Sequence, residues 1–419
     1  MKTVIFFMAF FTMGVRAEPL NFAQAANEMV STNVDVRVQR TKLDAAAAQL
    51  RGDKFAFTPT LNLQAQQQNV GGNGAATLSS GVASAQVYTF NSTWNLFRSG
   101  ADAATLEAGK QDQITQEASL QDAVLKAETS AAQALFTYFE RIEELAAYQR
   151  SSDSAQHFLE IAQARYNKSL LSHEDLDKVA LDAANSESLR ADSEVQLSDA
   201  RGTVESLLGH SNIQSSWPWR ERLRLSEANR VLQEMESLSA QDSRPDVRAA
   251  TAALEAESAR RRSLFRAMLP SIDLTYTVGD THVGKSSVIS GWNSAATLTI
   301  PLWNGLKDYT TYRVQYEKQN AAEHQLQQLA REVNSSVKSA KADFRTSVQQ
   351  YESRARNLST AKHLLDQDAA RFKLGRADAN ELNLDLKRVT EAEVLAIQGI
   401  QRAHMAYVTL CHVFGRSGF

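Results

Sequence analysis

The chain has 419 residues with only 6 Pro, 18 Gly and 1 Cys, enough length for two or three ordinary domains. The rest is rich in Ala, Leu, Gln, Glu, Ser and Arg, a mixture that favours long helices. Its 45 basic and 48 acidic residues leave a net charge of −3, which argues against nucleic acid as a partner, and the single Cys411 excludes an intrachain disulfide.

Residues 1–17 have the form of a secretory signal peptide: Lys2 gives the positive start, an apolar core follows, and Val15-Arg16-Ala17 ends in a small residue. Without this leader the net charge is about −5. No cysteine follows it, so no lipoprotein anchor is expected. Nothing further along approaches the roughly 18 consecutive apolar residues of a spanning helix. If the chain crosses a membrane, it does so with strands.

A helix is expected over residues 21–51, with an Ala run at 45–48 that permits close packing. Pro59 then leads a strand with Leu61, Leu63 and Ala65 on one face and Asn62, Gln64 and Gln66 on the other, the period of two that a one-sided apolar strand requires. A loop, GGNGAATLSSG, precedes a return strand ending in Trp94-Asn95-Leu96-Phe97. Residues 101–165 carry no Pro and only Gly109, and their apolar positions recur at helical spacing. At 1.5 Å per residue such a run is roughly 100 Å long, far beyond a globular core, and its small residues suit helices packed side by side. Residues 167–172 break the pattern. Helix signals resume at His173 and stop at Gly209, a C-cap residue. The irregular NIQSSWPW at 212–219 reads as a linker.

The second half repeats this plan. Val36-Arg37, Leu43-Asp44-Ala45, Ala48 and Pro59 align with Val247-Arg248, Leu254-Glu255-Ala256, Ala259 and Pro270 at an offset of 211. Leu96-Phe97, Ala164-Arg165-Tyr166 and Asp175-Leu176 align with Leu302-Trp303, Ala370-Arg371-Phe372 and Glu381-Leu382 at an offset of 206. The change falls inside the hairpin, where a loop loses residues at little cost. One unit has therefore been duplicated. The second hairpin alternates Ile272, Leu274, Tyr276 and Val278, then Trp292, Ala296, Leu298 and Ile300. The expected organisation is a first repeat at 18–209 (hairpin about 57–97, helical tip about 167–172), a linker at 210–244, and a second repeat at 245–419 (hairpin about 270–303, tip about 373–378). Four short strands cannot close a barrel, so oligomerisation is implied. Three copies would supply twelve strands, inside the membrane-barrel range.

With the signal peptide, the duplication, the strands led by Pro59 and Pro270, the Pro-Leu-aromatic-Asn-Gly at 301–305 and the Arg-aromatic-x-x-Gly turn at 371–375 followed by Glu381-Leu382, the chain resembles the TolC-type outer-membrane efflux channel family over nearly its whole mature length. The resemblance implies an α+β membrane protein. Three chains would form a homotrimer, with a 12-stranded β-barrel continuing into a long α-helical coiled-coil barrel. Such channels catalyse no reaction and use no cofactor. They sit among the lipids of the Gram-negative outer membrane and reach into the periplasm. There a periplasmic adaptor and an inner-membrane transporter open them as the exit duct of a tripartite efflux or type I secretion system.

The same resemblance implies roles for the two tips. Ser169, Leu170, Gly375 and Arg376 would meet the adaptor, with Gly375 matching the family's turn glycine and Ser169 departing from it. Asp175 and Glu381, with Glu174, Asp177 and Asp378 nearby, would narrow the pore, and threefold symmetry would turn each into a ring of like charge, a device for cation preference. The alternative is a solvated first turn favoured by the helix dipole. Phe372 and Ala377 lack the hydroxyl and charge of the family's closed-state lock.

Other motifs are weaker. Residues 279–286 match the phosphate-loop pattern, but an alternating strand precedes them and strand-like sequence follows, so they read as a hairpin loop. The eight histidines show no metal-ligand spacing, and no catalytic arrangement is defensible. Arg260-Arg261-Arg262 reads either as a lipid-phosphate contact or as a solvated helix end. Trp94, Trp292 and Trp303 suit interfacial belts. A soluble periplasmic coiled-coil adaptor or scaffold is the alternative function, but it gives no reason for two alternating hairpins.

Overall fold

The computed structural model describes residues 22–70, 83–210, 230, 233–234, 244–283, 287–374 and 379–417. The expected leader, most of the linker and the first hairpin loop lie outside them. The elements in order are α1 (Phe22–Thr32), α2 (Val34–Phe55), β1 (Thr60–Val70), β2 (Ala83–Phe97), α3 (Ala101–Tyr166), α4 (His173–Leu208), α5 (Pro245–Ala267), β3 (Ser271–Val283), β4 (Ser287–Thr299), α6 (Lys307–Lys373) and α7 (Ala379–Val413). The duplication is visible in the lengths: α3 and α6 have 66 and 67 residues, α4 and α7 have 36 and 35. Among the described residues no helix is long and apolar enough to cross a membrane.

The single helix expected over residues 21–51 is divided at Asn33. Its side chain accepts from the amides of Asp35 (2.8 Å) and Val36 (3.2 Å) and so starts α2 afresh. Helical periodicity continues across such a break, and the competing side-chain bond leaves little trace in the pattern. At the other end of the first repeat Gly209 caps α4 as expected: with φ at 79° it donates to Glu205 O at 2.8 Å.

The chain forms two compact units, each drawing on both repeats. One comprises residues 38–123 and 240–335 and holds the sheet. The strands lie in the order β1-β2-β3-β4, all antiparallel. Their register sorts the side chains. Leu61, Leu63 and Ala65 share a face with Tyr88, Phe90, Trp94, Leu274, Tyr276, Val278, Trp292 and Leu298. The opposite face carries Asn62, Gln64, Thr89, Asn91, Asp273, Thr275, Thr277, Asn293 and Thr297. A bulge between Asn95 and Phe97 brings Phe97 opposite Ile272, which restores it to the apolar face. The apolar face is open: Leu63 is 80% exposed. Among the described residues the outer edges of β1 and β4 have no strand beside them. Residues 279–283, expected in a loop, instead extend β3 and pair with β4 as far as Val283↔Ser287, although Asp280 and His282 then fall on the face of Tyr276 and Val278, so the backbone pairing runs on past the apolar alternation. Gly279 fits here for steric reasons: a Cβ would lie 2.6 Å from Tyr88 O.

The same unit is tied by polar bonds among its helices. Arg260 pairs with Asp112 of α3 and Glu257 of its own helix, and Thr105 shares a hydrogen bond of 2.8 Å with Ser263. Arg262 donates to Ser258 at 3.0 Å, and Arg261 lies 5.7 Å from the Tyr316 ring. Arg260 is thus engaged within the fold, with its side chain 39% exposed.

The other unit comprises residues 1–37, 124–239 and 336–419. One core joins Ala25, Met29, Ala132, Leu135, Phe139, Val204, Leu208 and Val408. Alanines at helix contacts let the backbones approach, while Leu135 and Phe139 fill the space between them. Truncating either to Ala would cost about 2–5 kcal/mol.

Candidate functional site

The first helical turn is built from backbone geometry. At the end of α3, Leu170 N donates to Arg165 O (3.0 Å) and Ser169 N to Tyr166 O (2.8 Å). This is the Schellman arrangement, in which the residue after the cap turns left-handed. Ser169 takes that place with φ at 55°, although a glycine would do so without steric cost. Leu170 projects, largely exposed.

Ser172 opens the next helix. Its Oγ accepts from Asp175 N at 3.1 Å and donates to Asp175 Oδ2 at 2.7 Å. Glu174 is bound by Lys178 Nζ at 2.8 Å, and the same ammonium lies 3.8 Å from Asp175. The Glu174 side chain is 80% exposed and that of Asp175 31%. The His173 ring lies tilted against Tyr166, centroids 5.7 Å apart, and its Nε2 lies 3.8 Å from Asp177. Three acids thus gather at one helix N-terminus, where the dipole favours them.

At the second turn Leu374 N donates to Arg371 O at 3.1 Å. Gly375, Arg376 and Asp378 lie outside the described residues. Glu381 falls in the first turn of α7 and is exposed. Both hairpins meet in one apolar cluster: Phe158 and Ala162 of α3, Leu176 and Val179 of α4, Phe372 of α6, and Leu382 and Leu386 of α7. Phe372 is buried there beneath the Arg165 guanidinium, 4.9 Å from its ring. Its ring serves packing, where a hydroxyl would need a partner.

Behind Glu381 stands a pair that sequence reading missed. Asp368 of α6 and Asp385 of α7 are both buried. Each is held by an arginine one turn on in its own helix, Arg371 at 3.2 Å and Arg388 at 2.8 Å. The hydrogen bond between the two carboxyls, then burial, then the charges of Glu381 and Asp385 push the Asp368 carboxyl above its ordinary range, against the opposing pull of Arg371. In sequence each Asp with its Arg looks like an ordinary exposed i,i+3 pair. Only the packing of α6 on α7 turns both inward.

Among the described residues no cluster of His, Cys, Asp and Glu could hold a metal. The arrangement places charged side chains at the first turn of α4 and of α7.

The family model "Outer membrane efflux protein" matches residues 25–210 and 238–410. No curated protein matches the sequence at a significant level. Among solved structures, the outer membrane protein VceC from Vibrio cholerae superposes with a TM-score of 0.83 at 14% identity, covering 95% of this chain and 97% of that one. A membrane protein from Pseudomonas aeruginosa gives 0.83 at 19% identity, covering 94% and 90%. The CmeC outer membrane channel of Campylobacter jejuni gives 0.81 at 15% identity, covering 94% and 85%. These likenesses show the fold, and the family model matches most of the chain: it belongs to the outer membrane efflux protein family, a family of Gram-negative outer-membrane channels and not of enzymes.

Proposed function

We propose that this chain forms, as a homotrimer, the passive outer-membrane exit duct of a tripartite efflux pump or type I secretion system, opened at its helical turns by a periplasmic adaptor and an inner-membrane transporter. One observation carries the reading: a four-stranded sheet with one apolar and one polar face and, among the described residues, no strand at either edge. Unpaired edges of 11 and 13 residues are an aggregation hazard unless another chain pairs with them. In hydrocarbon they are inadmissible. Three copies joined β4 to β1 satisfy every strand and place the apolar face toward lipid and the Asn, Gln and Thr face toward water.

Within that duct the two repeats are taken as 18–209 and 245–419 with a linker between. Asp175, Glu174, Glu381 and Asp378 are assigned to the constriction, and Ser169, Leu170, Gly375 and Arg376 to the adaptor contact. Support comes from the exposure of Glu174, Leu170 and Glu381 and from the apolar cluster that holds the two turns together. A soluble scaffold would have no use for a sheet with an exposed apolar face.

The test is the native mass of the detergent-extracted membrane fraction, followed by conductance in planar bilayers. A heat-sensitive particle of three chains that forms steady pores supports the duct. A soluble monomer or dimer, absent from the membrane fraction, would return the choice to the periplasmic scaffold.

A further inference from the structure

A groove of about 500 Å³ opens in the helical unit, lined by α3, α4 and α7. Its polar side chains divide into two sets. One set holds the helices together. Lys387 Nζ of α7 binds Asp182 of α4 at 2.6 Å, Gln398 Nε2 donates to Glu144 of α3 at 2.9 Å, and the Thr390 hydroxyl donates to Ser151 Oγ at 2.9 Å. The other set holds nothing. The Tyr148 hydroxyl, the Asn185 side-chain amide and the Glu391 carboxylate make no hydrogen bond or ion pair with any described residue.

Each member of that idle set is informative. A half-buried tyrosine ordinarily finds a partner for its hydroxyl, whereas that of Tyr148 opens onto the groove. Burial first, then the Glu144 charge, raise the Tyr148 phenol above its ordinary value against the pull of Arg141, and the Glu391 charge adds to the rise. Carboxylate and ring are thus electrostatic neighbours. Nor is Glu391 neutralised from the side. Lys387 is taken by Asp182 and Arg388 by Asp385, while Arg354, which lines the adjoining cleft with Glu391, donates to Leu395 O at 3.0 Å. Beside these groups stand Leu189 of α4 and Val394 and Leu395 of α7, and both leucines are exposed. A free carboxylate next to an aromatic ring and an aliphatic wall suits a cation with an apolar body. An anion would meet Glu391 uncompensated, and an uncharged apolar guest would strip water from the carboxylate without replacing it.

We propose that this groove binds a lipophilic organic cation, with its charge between Glu391 and the Tyr148 ring, its apolar body on Leu189, Val394 and Leu395, and Asn185 free for a polar substituent. All these residues belong to one chain and to one of its two units, so the site does not depend on the duct reading. A ligand seated there bridges α3, α4 and α7 and stabilises the arrangement in which they are packed.

Tetraphenylphosphonium and tetraphenylborate, nearly one shape with opposite charges, serve as probes. An ion-selective electrode reads free phosphonium over the full chain in lipid nanodiscs, with empty nanodiscs as the blank for partition into lipid. Saturable binding of one cation per chain is expected, weakened about ten-fold by Glu391→Gln. Tyr148→Phe, which keeps the ring, should bind as wild type, and Tyr148→Leu several-fold more weakly. Glu352→Gln on α6, outside the groove's lining, removes the same charge and should change nothing. Tetraphenylborate should show no saturable binding. No saturable phosphonium binding, equal affinity of wild type and Glu391→Gln, or equal weakening by Glu352→Gln overturns the site. Glu391 is exposed and bonded to no side chain, so its variant decides the matter even where Tyr148→Leu does not fold.

Discussion

Ser172 holds Asp175 twice, accepting its backbone amide at 3.1 Å and donating to its carboxylate at 2.7 Å. One hydroxyl therefore starts α4 and aims an acid at the turn. The two roles separate by substitution. Asp175→Asn keeps an oxygen for the hydroxyl but removes the charge. Combined with Glu381→Gln, it is expected to lower the cation preference of single channels with little loss of stability. Ser172→Ala is expected to cost about 1 kcal/mol of stability and to leave the preference largely in place. Unchanged selectivity in the double variant would leave Asp175 as a capping residue only.

The left-handed Ser169 makes a second prediction. Ser169→Gly removes a side chain from a conformation that costs a non-glycine residue about 1–2 kcal/mol, offset by the greater flexibility of glycine in the unfolded chain. A net gain of roughly 0.5–1 kcal/mol follows from those two terms. Gly209→Ala, at the same kind of turn with φ at 79°, is expected to lose about 1 kcal/mol. Denaturant midpoints of the detergent-solubilised protein measure both, and opposite signs at the two positions are the signature.

These turns also show what a sequence can and cannot display. The strand alternation from Leu61 to Ala65 and from Ile272 to Val278 survives in the register because a period of two leaves each side chain only two faces to choose from. Gly209 was legible because a glycine after a helix has few other reasons to be there. The division at Asn33 was hidden, since Asn sits in helices and caps alike and the apolar period runs on through it. The Asp368–Asp385 pair was hidden for a different reason: which helix faces which is decided by packing between segments distant in sequence. A phosphate-loop pattern at 279–286 was legible as letters but belongs largely to a strand.

Acid acts on the helical unit in two opposed ways. His404 is buried against Phe136, ring centroids 5.1 Å apart, and burial pulls its pKa down to about 4 from 6.5. The unfolded chain binds this proton first, so the histidine's contribution is intact above pH 6.5 and is lost as pH falls toward 4, by up to about 3 kcal/mol. His404→Phe should flatten the stability profile between pH 7 and 4.5 in denaturant titrations. Equal slopes for variant and wild type would exclude His404 as the source.

Asp368 has the opposite sign. With its carboxyl raised by the bond to Asp385, the folded state keeps the proton longer than the unfolded chain. Its stabilisation is therefore full below the ordinary carboxylate value of 3.8 and is lost as pH rises through the raised one. Asp368→Asn supplies a permanent donor to Asp385 and is expected to stabilise the protein at pH 7 more than at pH 4. A pH-independent difference would mean that the two carboxyls share no proton.

The pair Gly279 and Gly291, opposite each other in β3 and β4, separates two explanations of the glycine that opens the phosphate-loop pattern. A methyl at Gly279 would meet Tyr88 O at 2.6 Å and Thr89 Cγ2 at 2.8 Å, whereas at Gly291 it would meet nothing within 4 Å. Backbone cannot yield as a side-chain end can, so Gly279→Ala is expected to cost about 1–3 kcal/mol, in the range of overpacking. Gly291→Ala should be nearly neutral or slightly favourable, because strands disfavour glycine. Heat-dissociation of the trimer on gels measures both. If the glycine instead served a nucleotide, ATP would raise the dissociation temperature of the wild type and Gly279→Ala would abolish that rise. The expected result is no effect of ATP on either, with the asymmetry between the two glycines present in its absence.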